Sequence, residues 1–184
     1  TDNEDCSYDE CKVHGGATAQ TGTNYTVDLG ELKSTYVNKS GNVIHFSALD
    51  NEKINSISLD LTTNAIAGAV VTVKSKNGGL SGPGTNLISS VTDGGDITAN
   101  SGKYGMNIVP DGLETKHGTI VPNSDCDSAN QYCGPTNTAK SIFDTGGHPV
   151  DSARVKLDVA AGATYTNNPG LYTDTLTFIV TSTF

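Results

Sequence analysis

From residue 25 onward the chain is written in short runs in which every second residue is apolar, and glycine-rich turns separate the runs. A two-residue period puts the apolar side chains on one face of a strand, whereas a helix needs a period of 3.6. Ile57, Leu59 and Leu61 share a face in SISLDLT, and Val155, Leu157 and Val159 do so in ARVKLDVA. GAVVTVKS closes at the turn KNGG, TNLISSVT closes at TDGGD, and YGMNIVP aligns Tyr104, Met106 and Ile108. GNVIHFSA and the alternation of Tyr25, Val27 and Leu29 add two more runs. The last run sets Leu176, Phe178, Val180, Ser182 and Phe184 on one face and threonines with Ile179 on the other. Phe184 is expected to pin that strand into the core. ELKSTYV at 31–37 is the best helical stretch and is too short to shape a fold. About eight short strands joined by turns predict an all-β, immunoglobulin-like β-sandwich over residues 25–184. The prolines and turn residues from Asp111 to Pro149 predict a long loop region.

Residues 1–24 read as an N-terminal arm, acidic in TDNEDCSYDEC and then small, polar and glycine-rich in KVHGGATAQTGTN. The net charge is −9 and no Lys/Arg cluster occurs, which disfavours nucleic acid and anionic membrane as partners. The longest apolar run, AIAGAVV at 65–71, is far short of the ~20 residues of a membrane-spanning helix. Thr1 implies either that a signal peptide was removed or that the chain was shortened in another way.

Four cysteines form two close pairs, Cys6 with Cys11 and Cys126 with Cys133. Three connectivities are open, of which the local one closes the shortest loops. Zinc is the competing reading, but neither spacing is CxxC and no histidine stands at ligand distance in sequence. Disulfides imply an oxidising compartment and hence secretion. Asn24 and Asn38 match the N-glycosylation pattern. Calcium is the one metal with candidate ligands, at Asp2, Glu4, Asp5, Asp9 and Glu10 in the arm and at Asp125 with Asp127. None of these follows an EF-hand spacing, and a solvated acidic tail is the favoured reading.

No catalytic set emerges. SIFDTGG at 141–147 resembles the active-site motif of aspartic proteases, whose chemistry needs two carboxylates sharing a proton. One such motif, with Asp144, would require a homodimer, and the plainer reading is a strand end followed by a Thr-Gly-Gly turn. His14, His45, His117 and His148 are scattered, and GLSGPGTN lacks the GxSxG spacing of a hydrolase elbow.

The stretch carrying Gly170, Tyr172, Asp174 and Thr175, followed by alternation through Phe184, resembles the closing strand of secreted bacterial pilin domains of the chaperone–usher and spore-coat-U-like kinds. The resemblance implies an incomplete sandwich completed by donor-strand exchange, in which an N-terminal arm of one subunit pairs with the next. Main-chain hydrogen bonds supply affinity in such a contact, and a head-to-tail contact that does not close makes a filament. The candidate arm is residues 12–24, with Val13, Gly15, Ala17 and Ala19 alternating, or else Tyr25, Val27 and Leu29 insert. The expected function is therefore a secreted, non-enzymatic filament subunit whose partner is another copy of itself. The alternative is a monomeric cell-surface adhesin or carbohydrate-binding module. Its glycan site would lie in the Asp111–Pro149 region, with Tyr104 and Tyr132 stacking on sugar.

Overall fold

The computed structural model describes residues 14–15, 26–42, 53–54 and 56–184. Thirteen strands and one short 3-10 turn (Ser40–Asn42) make up its regular structure. Three short strands come first: β1 (His14–Gly15), β2 (Thr26–Val27) and β3 (Asn38–Lys39). Next are β4 (Lys53–Ile54), β5 (Ile57–Thr63), β6 (Ala69–Ser75), β7 (Gly79–Ser81) and β8 (Leu87–Ser90). The remainder are β9 (Lys103–Glu114), β10 (Val121–Pro122), β11 (Lys140–Asp144), β12 (Val150–Gly162) and β13 (Leu176–Ser182).

Two sheets pack as a β-sandwich. The larger has the order β1-β5-β12-β9-β8-β7, and β3 continues along β12 at Ala160 and Ala161. The smaller has the order β10-β11-β6-β13, while β2 and β4 form a separate parallel pair. Alternation decides what is buried. Ile57, Leu59, Leu61 and Thr63 of β5 point inward, as do Val71 and Val73 of β6. Leu59, Leu157, Met106 and Ile108 of the larger sheet share one core with Val71, Val73, Ile142 and Phe143 of the smaller.

A second, smaller cluster lies against the larger sheet: Val91, Ile97, Tyr132 and Ala160, with Val37 at its margin. The Cys126–Cys133 disulfide closes a loop here, with Cα atoms 5.0 Å apart. That loop covers an edge of β9, because Met106 and Cys133 exchange backbone hydrogen bonds and the Ile108 amide donates to the Cys126 carbonyl. The Asn107 side chain fastens it further, its amide nitrogen donating to the carbonyls of Cys126, Ser128 and Gln131.

Several expectations are corrected. The Asp111–Pro149 region is no uniform loop, since it holds the end of β9 and all of β10 and β11. The strand end expected at Asp144 is the end of β11, a strand only five residues long whose buried pair, Ile142 and Phe143, is adjacent rather than alternating. Residues 31–37 are turns, with no helix. Phe184 is 69% exposed and does not anchor β13 in the core. GNVIHFSA lies at residues left outside the description apart from its first two.

Candidate functional site: the edge of the closing strand

β13 pairs antiparallel with β6 from Leu176–Ser75 to Ser182–Ala69. The Lys76 amide donates to the Thr175 carbonyl and the Thr183 amide to the Gly68 carbonyl, each at 2.9 Å. In an antiparallel ladder alternate residues direct both main-chain groups to the same neighbour. The odd-numbered residues of β13 therefore bond to β6, and Leu176, Phe178 and Val180 direct their N–H and C=O groups to the other side. Among the described residues, no strand pairs with that side.

The burial pattern agrees with an incomplete layer. Leu176, Phe178 and Val180 point toward the core but are only half-buried, whereas Val71 and Val73 on the neighbouring β6 are fully covered. Among the described residues β13 ends its sheet, and an edge strand leaves one flank of its inward side chains less covered; here that flank is apolar. On the outward face Ile179 is 41% exposed and stands beside Thr72.

The residues before β13 hold the strand in place. Thr173 and Ser81 exchange two backbone hydrogen bonds, so the chain first leans on β7 of the larger sheet. It then crosses to the smaller sheet at Asp174. That carboxylate accepts hydrogen bonds from the Ser75 hydroxyl at 2.6 Å, the Asn77 amide at 3.1 Å and the Thr175 amide at 2.8 Å. The buried Tyr104 hydroxyl of β9 feels the same negative charge from across the core. Burial first, and the Asp174 carboxylate second, push the Tyr104 hydroxyl far above tyrosine's ordinary range. Gly170, at φ +151°, is held against Pro83, and a side chain there would collide with the proline ring. Gly82 likewise leaves room for the ring of Tyr172, which packs against the core. Gly170, Tyr172 and Asp174 thus form a corner that closes one end of the sandwich and delivers β13 to its edge.

The other predicted residues fall as follows. Val27 and Leu29 pack against the chain's own core, so they belong to this sandwich. His14 and Gly15, within the predicted arm, pair with Asp60 and Leu59 of β5, at the end of the larger sheet. Val13, Ala17, Ala19, Tyr25, Asn24, Cys6, Cys11 and the arm's acidic residues lie outside the described residues. Asn38 is engaged as a clamp, its amide nitrogen donating to the carbonyls of Leu29 at 2.7 Å and Glu31 at 3.1 Å. A glycan on that nitrogen would displace one of these bonds.

Tyr104 and Tyr132 are each 2% exposed, so neither ring is available to stack on a sugar. Asp144 caps a turn by accepting from the Gly146 amide at 2.7 Å, and the buried Thr145 hydroxyl links Ala69 to His148. Among the described residues, no group of three or more His, Cys, Asp or Glu could hold a metal ion, and no helix is long and apolar enough to cross a membrane. Searches of family models, curated proteins and solved structures gave no match to this chain.

Proposed function

We propose that this protein is a secreted, non-enzymatic structural subunit that polymerises into an extracellular filament or pilus by adding a strand of one copy to β13 of the next. The observation that carries the reading is the edge of β13, where Leu176, Phe178 and Val180 are half-buried and their outward-directed main-chain groups meet no strand among the described residues. Strand addition meets both needs at once, since ladder hydrogen bonds give affinity and alternate side chains cover the flank. The donor in this reading is residues 12–24. Val27 and Leu29 are the other candidate donors, and either segment would have to exchange contacts it makes within its own sandwich, Val27 and Leu29 with the core and His14 and Gly15 with β5. The disulfide between Cys126 and Cys133 supports an oxidising, extracellular setting.

The alternative, a monomeric adhesin or carbohydrate-binding module, loses its two nominated stacking rings to burial. Negative-stain microscopy of the full chain and of a chain lacking residues 1–24 decides between them. The filament reading expects regular fibres that vanish on the deletion. A full chain that stays monomeric, unchanged by the deletion, contradicts it.

A further inference from the structure

The larger sheet also carries a cleft, away from β13, that the filament reading leaves unused. Its volume is about 210 Å³. Asn107 and Asp158 lie directly opposite each other across the β9–β12 ladder and line it. Val109 and Ala160 of the same two strands add apolar surface. Lys39 of β3 lines it as well, its ammonium 5.8 Å from the centroid of the Tyr132 ring. The disulfide loop contributes Ala129 and Asn130.

These groups are held before any ligand arrives. The disulfide and the three hydrogen bonds from Asn107 fix the loop. Asp158 accepts from the Ser56 hydroxyl at 2.5 Å, which orients its carboxylate. Preorganised polar groups lose little freedom on binding, which is what makes a small cleft selective.

We infer that this cleft binds one neutral, polyhydroxylated ring, such as the terminal residue of a glycan. The volume is below the roughly 300–1,000 Å³ of a drug-sized site, which limits the occupant to about one ring. One cationic and one anionic side chain cancel each other, so the cleft favours neither sign of ligand. A chain of net charge −9 offers an anion no long-range attraction. A sugar ring presents hydroxyls that both donate and accept, matching Asp158 and the asparagines on one side and Lys39 on another. Its C–H face matches Val109 and Ala160. No aromatic stacking is needed, and the buried Tyr132 serves instead as a support for Lys39.

The test is saturation-transfer NMR on the full chain with methyl glycosides of the common neutral hexoses, and with free glycine as a zwitterionic comparison. At least one glycoside is expected to bind in the millimolar range. Asp158→Asn and Lys39→Met should each weaken it about tenfold, with the thermal midpoint unchanged. Should either variant unfold, Asn130→Gly keeps the loop's backbone, since Asn130 sits at φ +65°, and should weaken binding likewise. Silence from every glycoside overturns the inference, as does binding that all folded variants leave intact, or binding of glycine in place of sugars. Because the readout is a sugar signal, it stands or falls independently of whether the chain forms fibres.

Discussion

Asp174 accepts from the buried Ser75 hydroxyl and from the amides of Asn77 and Thr175. Asp174→Ala would orphan these donors, so urea unfolding should show a loss of about 2–4 kcal/mol. Asp144→Ala removes a single turn bond and should cost only about 0.5–1.5 kcal/mol in the same assay. Tyr104 adds a pH signature. Burial holds its proton to a pH well above tyrosine's ordinary 10.0, so the unfolded chain gives up that proton first as pH rises. The contribution is therefore complete below about pH 10 and declines above it. Tyrosinate absorbance should show one tyrosine that ionises only on unfolding, and Tyr104→Phe should abolish that late component. The Arg154–Asp60 pair, with its arginine half exposed, is by contrast worth at most about 1 kcal/mol.

At the scale of elements, the two sides of β13 predict opposite responses to proline. Val180 directs its N–H away from β6, so Val180→Pro removes no ladder bond and leaves a folded monomer, while blocking any strand laid on that side. Ile179→Pro deletes a bond to β6 and should cost about 3 kcal/mol or more. Circular dichroism and fibre counts on the two variants check this. Which elements could be foreseen follows the same physics. β5, β6, β13 and the middle of β12 each turn one face toward the core and so print a period of two. β11 did not, because Ile142 and Phe143 are both buried at a register shift opposite β6. Residues 170–175 stood out in the sequence as glycine, tyrosine and aspartate. Their roles did not, because each acts on a partner 87 to 99 positions away: Pro83, Gly82 and Ser75. The cleft was hidden for the same reason, since β3, β9, β12 and the disulfide loop meet there only after folding.

At the scale of the molecule, the larger sheet has cover that, among the described residues, the smaller one lacks. β1 lies on β5, Thr173 pairs with Ser81 of β7, and the disulfide loop covers part of β9. β13, seven residues long, has a strand partner on one side among the described residues. Exposed edges of that length invite pairing with another chain. In the proposed filament, this pairing is what β13 is for. Residue-resolved hydrogen exchange, comparing dilute and concentrated samples of the full chain, tests it most directly. In dilute protein the amides of Leu176, Phe178 and Val180 are expected to exchange much faster than those of Thr177, Ile179 and Thr181, and assembly is expected to slow these three. Exchange at Leu176, Phe178 and Val180 that stays fast at every concentration, in a chain that never assembles, would contradict the proposed filament.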